Sequence, residues 1–310
     1  MWPSLLSVQT CGLGLVRGAG GLQAGELIST LLDGNPLKAA GFIVTIYGDV
    51  IEPRGGVVWM GNLIETCAMV GISETLVRTA VSRLVAAEQL VGEREGRRSF
   101  YRLTKLARTE FAIAARLLFG PPEEVSWNFV QPSGDDADEA MFVLERAGYA
   151  RLGPRLAVGP RAAPAMKPSA VVFHAELAAG EGGLRAFVAD HWNLTPHADA
   201  YRGFLTRFGL ISNYIERGGS LSTSQSLIAR LLLVHQFRMV MLRDPRLPEA
   251  GLPEDWPGGQ ARLLFARLYC QLSLKADLYV ADQFISVDGA LEEANAATRA
   301  RLTSLAHVLG

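Results

Sequence analysis

The chain has 310 residues, a formal net charge of −1 and 49% apolar residues. That length argues for two or three domains, the composition excludes a disordered chain, and the near-neutral balance excludes naming a partner from bulk charge. Cys11, Cys67 and Cys270 are far apart and lack CxxC spacing, so neither a disulfide framework nor a zinc site is expected and a reducing cytoplasm fits best.

The opening residues, MWPSLLSVQTCGLGLVRGAGGLQ, have no basic segment ahead of their mildly apolar run, and Arg17 interrupts it. They read as a loose extension, residues 1–33, and not as a signal peptide. No run reaches the ~18 apolar residues of a membrane span. Residues 34–120 alternate helical patterns with one short strand pair, and the double proline of GPPEEVSW (120–127) stops the last helix and opens a linker.

Within that block, WMGNLIETCAMVGIS (59–73) is helical, with apolar Leu63, Ile64, Cys67, Ala68 and Val70. It stops at Gly71, which can take the left-handed conformation of a helix end, and Ser73 is placed to cap a second helix with its side chain. Two helices joined by a short glycine turn form a helix-turn-helix. In the second, Val77, Ala80, Val81, Leu84 and Val85 share a face and leave Thr75, Arg78, Thr79, Ser82 and Arg83 outside. A short, polar, basic face suits the major groove, where Arg pairs with guanine edges and Thr or Ser touches bases or phosphates.

QLVGER and SFYRL then read as strands around the turn EGRR, a hairpin whose tip presents Arg97 and Arg98. A basic hairpin after such a helix is the wing of a winged helix. Its polar residues Arg94, Arg97, Arg98, Ser99 and Arg102 are expected on phosphates or in the minor groove, adding affinity and register more than sequence choice. Residues 73–108 hold eight Lys and Arg against four Glu, a local charge of +4 in a chain whose total is −1.

Residues 125–196 change character. WNFV, RLAVG and SAVVFHAEL read as strands and DDADEAMFVLERAG as an acidic helix, a β-α-β-β order that suits half of a ferredoxin-like unit. Asp135, Asp136 and Asp138 can be set out as Mg²⁺ ligands or as an acidic helix start. The second reading is favoured, because the first strand ends in Gln131 and Pro132 with no carboxylate on it. His174, His191 and His197, spaced by 17 and 6, match no ligand set. Residues 197–310 are read as helical throughout, in ADAYRGFLTRFGLISNYIERG, SQSLIARLLLVHQFRMVMLRD, GGQARLLFARLYCQLSLKADLYVADQF and LEEANAATRARLTSLAHVL. His235 stands on an apolar helix and needs a partner there. No GxSxG, HExxH or GxxxxGK motif occurs, so nothing points to an enzyme.

The run from IVTIYGD to FYRLT resembles the amino-terminal domain of the PaaX family, bacterial repressors of phenylacetic acid degradation. The likeness rests on YGD (47–49), PRGG (53–56), W-x-G-x-L-I (59–64), GIS (71–73), VRTAVSRL (77–84) and GRRSFYRLT (96–104), and continues in LVHQFRMVMLRDPRLP and LPEDWPG. The resemblance implies an α+β chain: an N-terminal winged helix-turn-helix, a small central domain like the ferredoxin-like fold of Cas2, and an all-helical C-terminal domain. It further implies a dimeric cytoplasmic repressor on double-stranded DNA, with no cofactor, released by an aryl-CoA thioester such as phenylacetyl-CoA. Arg202, His235, Arg238, Arg243 and Trp256 are the candidates to hold that effector, guanidinium forks on phosphates and indole on a ring. Two-fold symmetry would match a palindromic operator. The first ~30 residues and the segment after Lys275 depart from the family pattern. Two other classes remain: a winged helix that binds an acidic protein, and a metal-dependent nuclease built on the central domain.

Overall fold

The computed structural model describes residues 24–33, 36–122, 125–164 and 170–310. Its first helix, α1 (Ala24–Leu32), buries Leu27 and Leu31 in the main core. The expected loose extension therefore ends before Ala24, because AGELISTLL is amphipathic enough to pack; residues 1–23 lie outside the described residues.

The helix α2 (Ala39–Ile46) runs on through a π-helical turn, Tyr47–Ile51, and a 3₁₀ turn, Glu52–Arg54. Gly55 and Gly56, both at positive φ (93° and 80°), then turn the chain into β1 (Val57–Trp59), which explains the two glycines of PRGG. Next come α3 (Met60–Ala68), α4 (Glu74–Ala86), β2 (Leu90–Glu95), β3 (Arg98–Leu103) and α5 (Lys105–Phe119). The strands form one antiparallel sheet in the order β1-β3-β2. The third strand, β1, escapes a reading by pattern because it has only three residues.

A second sheet is built from β4 (Trp127–Pro132), α6 (Ala137–Arg146), β5 (Ala150–Gly153), β6 (Leu156–Gly159) and β7 (Ala170–Ala175). Its order is β5-β6-β4-β7, antiparallel throughout. The helix that follows, α7 (Glu181–His191), comes after the fourth strand and not between the third and the fourth. It was not legible in the sequence, since Gly182 and Gly183 weaken the helical signal. Two small apolar clusters hold this part together, one of them joining Trp127, Val158, Leu184, Val188 and Leu247.

The remainder is helical: α8 (Thr195–Glu216), α9 (Thr223–Met241), α10 (Gly258–Gln283) and α11 (Ala296–Leu309). It is not helical throughout, because a two-stranded hairpin, β8 (Ile285–Ser286) with β9 (Gly289–Ala290), follows α10. The main core is continuous from α1 through α5 and from α8 to α11. Residues 34–120 and 197–310 thus share one interior, with Phe237 stacked on Phe265 (4.2 Å between centroids, 13° between planes) near its centre.

Through that interior runs a buried ionic cluster. Every residue of α9 from Ser226 to Phe237 is buried, Arg230 among them. Arg230 Nε donates to Asp49 Oδ2 (2.9 Å) and its Nη1 to Asp277 Oδ1 (2.6 Å); Tyr269 donates to Asp49 Oδ1 (2.9 Å). Arg54 Nη2 meets the same Asp277 oxygen at 2.8 Å, while its other nitrogens reach the carbonyls of Val50 and Glu292. Burial alone would lower the basicity of Arg230, but Asp49, Tyr269 and Asp277 outweigh it and keep the guanidinium charged. The segment after Lys275 closes the cluster. Arg301 Nη1 donates to the carbonyls of Gly48 and Asp49, within the π turn, and Asn295 Nδ2 to that of Pro53. Replacing Arg230 by Met would leave buried Asp49 without its arginine and Asp277 with Arg54 alone. A loss of about 3–5 kcal/mol is expected in urea melts, with residues 34–120 and 197–310 unfolding in a single transition; a loss under ~1 kcal/mol would show that the cluster does not hold the two together.

Candidate nucleic-acid interface

The helix α4 follows Gly71, which does adopt positive φ (80°). Ser73 stands at its N-cap in extended conformation, and its carbonyl accepts from Val77 N. Its side chain makes no capping hydrogen bond, contrary to expectation. Val77, Ala80, Val81 and Leu84 are buried, whereas Val85 ends on the flank, 38% exposed. The outer residues Thr75, Arg78, Thr79, Ser82 and Arg83 are all exposed. Two of them already have internal partners: Arg78 is paired with Glu74 one turn earlier (2.7 Å), and Thr79 Oγ1 donates to the carbonyl of Thr75 (2.8 Å). Leu76, 56% exposed on the same helix, is an apolar member of the surface that reading for polar residues passed over.

The hairpin pairs Leu90 with Leu103 through to Glu95 with Arg98, turning at Gly96 (φ 57°) and Arg97. Side chains alternate across a strand, so Arg98 and Arg102 share the face of Phe100 and Trp59, while Arg94 and Ser99 take the other. The five wing residues are therefore split between two faces and the tip. Arg102 has Glu93 at 3.9 Å, and the Arg98 guanidinium lies over the Trp59 ring, 5.2 Å from its centroid. Among the described residues Arg83, Arg94, Arg97 and Arg98 make no ion pair, and all four are exposed. With Lys105 and Arg108, also exposed and without an ion pair among the described residues, they are the cations of residues 73–108 left available to an external anion.

The other candidates separate. His235 Nδ1 meets Thr45 Oγ1 at 2.8 Å and Arg238 Nη2 donates to the carbonyl of Gly41 (3.1 Å), so both bind α9 to α2. The helix is buried from Ser226 to Phe237, while the Nε of Arg238 and the Nε2 of Gln236 have no hydrogen-bond partner. Arg202 is exposed and paired with Asp199 and Asp255. Trp256 packs edge-on to Tyr201 and lines a cavity of about 670 Å³ with Pro122, Arg161, Arg246 and Arg262. Arg243 opens instead on an adjoining depression of about 470 Å³, which also takes in Arg161 and Arg246. The five expected residues do not converge. Arg262 was missed: half-buried between helix and loop, it donates to the carbonyl of Gly120, and its Nε has no partner. Among the described residues no group of His, Cys, Asp and Glu could hold a metal ion; Asp138 lies in the first turn of α6, Asp136 at its N-cap, and Asp135 just before it. No helix among them is long and apolar enough to cross a membrane.

These features define a three-part α/β chain whose basic exterior is the helix and hairpin of residues 73–108, joined through a common core to a helical part. A family model described as PaaX-like protein matches residues 38–107, and one described as PaaX-like protein C-terminal domain matches residues 192–282. The transcriptional repressor PaaX of Escherichia coli (strain K12) is 30% identical over 271 residues, covering 80% of this chain and 84% of that one. The chain belongs to the PaaX family. Among solved structures, the uncharacterized protein Rv0674 from Mycobacterium tuberculosis is similar with a TM-score of 0.45 at 18% identity, over 83% of this chain and 98% of that chain. Asp49 and Arg54 fall within the first matched stretch, Arg230 and Asp277 within the second.

Burial, and then the charge of Arg238, push the His235 imidazole down to about 4 from its ordinary 6.5. The unfolded chain therefore takes up a proton that the folded one refuses, and stability present above pH ~6.5 is lost as pH falls toward 4. On the order of 3 kcal/mol is at stake. Thermal melts from pH 7 to 4.5 should show a slope that flattens in His235→Gln; an unchanged slope would place the acid sensitivity elsewhere.

Proposed function

We propose that this chain is a DNA-binding transcriptional repressor whose residues 38–107 form a winged helix, with α4 entering a major groove and the hairpin β2–β3 lying beside it. The observation that carries the reading is that the polar face of α4 and the hairpin tip are both wholly exposed on one small unit, with four arginines free of internal ion pairs. Membership in the PaaX family supports it, as does the printed role of the E. coli relative. Thr75, Thr79, Ser82 and Arg83 are assigned to base edges, joined by Leu76, whose methyls suit a thymine methyl. Arg78 must exchange Glu74 for a guanine edge or a phosphate to take part. Arg94, Arg97 and Arg98 are assigned to phosphates. The protein acts as a homodimer on a palindromic operator, without chemistry of its own.

A gel shift with the duplex upstream of its own gene tests this reading. Three phosphate contacts per protomer give a dimer a slope of log K against log salt of about −5. Arg97→Ala should bring that slope about 2 units closer to zero at unchanged sequence preference. A slope near zero, or binding no stronger than to heparin, would favour an acidic protein partner.

The effector is an acyl-CoA thioester of the phenylacetyl-CoA kind, and we assign it to the two adjoining cavities between the second sheet and the helical part. Supporting this are the arginines 161, 246 and 262 around a rim with Trp256, and the unpartnered Nε of Arg262. Charge-assisted bonds from half-buried guanidinium groups to phosphate are stronger than neutral ones. Calorimetric titration with phenylacetyl-CoA should show Arg161→Ala and Arg262→Ala each weakening binding about tenfold or more and Arg202→Ala leaving it unchanged. Unaltered affinity in both of the first two would remove this site.

A further inference from the structure

We propose that Trp59 is a positioning residue of the DNA-binding surface: its indole holds the guanidinium of Arg98 where a backbone phosphate meets the wing. Trp59 is the last residue of β1, stands opposite Phe100 of β3, and is also the N-cap of α3, in extended conformation. Its ring folds back over the first helical turn. A Cβ on Gly61 would lie 2.4–2.5 Å from three carbons of the six-membered ring, closer than such contacts allow. The Trp-x-Gly spacing of residues 59–61 is therefore one device, a large flat ring and the one residue that leaves room for it.

Onto this ring comes Arg98, its guanidinium carbon 5.2 Å from the centroid. The strand register sets Glu95 directly opposite Arg98, and a cross-strand ion pair is the ordinary outcome there. None forms. The guanidinium lies on the indole, where the ring quadrupole attracts a cation without cancelling its charge, unlike a carboxylate. Trp59 keeps Arg98 ordered and still positive, so less side-chain freedom is lost when a phosphate arrives.

This inference rests on the winged-helix reading, and a double-mutant cycle separates the two. Affinity for a labelled mixed-sequence duplex is measured at several salt concentrations for wild type, Trp59→Leu, Arg98→Ala and the double variant, with thermal melts to check folding. Trp59→Leu should weaken binding roughly two- to fivefold without changing the salt slope, because the charge remains. Arg98→Ala should move the slope toward zero by about 2 units for a dimer. In the Arg98→Ala background the Trp59→Leu loss should vanish. Trp59→Phe, which keeps a ring, should recover part of the affinity, and Gly61→Ala, which displaces the ring, should behave like Trp59→Leu. Should Trp59→Leu not fold, Trp59→Phe replaces it in the cycle, with a smaller loss that again disappears without Arg98. An equal loss in both backgrounds would overturn the role of Trp59 while leaving DNA binding intact. A wild-type chain that does not bind the duplex at all would end the winged-helix reading and this inference with it.

Discussion

The contact on which the architecture depends is the one between Arg230 and Asp49. An arginine enclosed on every side by apolar helix faces is tolerable only if carboxylates reach it. One of the two that do comes from a π turn nearly two hundred residues earlier. The π turn is what lets a helix that otherwise buries Phe42, Ile43 and Ile46 swing Asp49 into the interior. It also frees backbone carbonyls, and Arg301 from the far end of the chain takes up two of them. The unit that carries the basic helix and the part made of α8 to α11 are consequently one body with one interior, although the chain between them runs through a separate sheet.

That union limits how a ligand can act. A population shift requires two arrangements with different ligand affinity, and an arrangement that rotated α4 against α9 would have to break Arg230 from Asp49 in a dry interior. The joint with weaker ties is the one between this body and the second sheet. There the contacts are the proline-rich turn after α9, the small cluster around Trp127 and Leu247, and the two cavities rimmed by Arg161 and Arg246. Under the proposed function, a ligand wedged into that joint would alter the spacing of two protomers while leaving each helix-and-hairpin unit intact.

Much of the reading unit was legible because its signals are local. Gly71 marks a left-handed stop, the apolar positions of α4 repeat at helical spacing, and GRR lies between two strand-like runs. The buried cluster was not, because Asp49, Arg230 and Asp277 are charged residues in unremarkable surroundings until the helices are packed. One signal was present all the same: ARLLLV is apolar on every side of Arg230, and a charge in such a helix demands a partner. The partner that His235 needs on an apolar helix is Thr45, and Arg238 reaches the carbonyl of Gly41; both lie on α2, which no local pattern brings next to α9. Arg202 is an exposed side chain with two carboxylates in reach. The hairpin β8–β9 is too short for a pattern, and α1 lies where the family likeness has not yet begun.

Under the proposed function, pairing would separate the arginines that choose sequence from those that only grip. Of the arginines in residues 73–108, Arg78 is engaged by Glu74 and Arg102 approached by Glu93, both within the unit. An arginine that must leave a carboxylate to reach a base discriminates, since only a guanine edge with two acceptors compensates for the broken pair. An arginine with no partner to leave gains from any phosphate and distinguishes nothing. The division does not follow the elements: α4 carries the paired Arg78 and the unpaired Arg83, and the hairpin carries Arg102 near Glu93 together with the unpaired Arg94, Arg97 and Arg98. On the proposed reading, each element would hold both a discriminating and a gripping arginine, so helix and hairpin would share the two tasks.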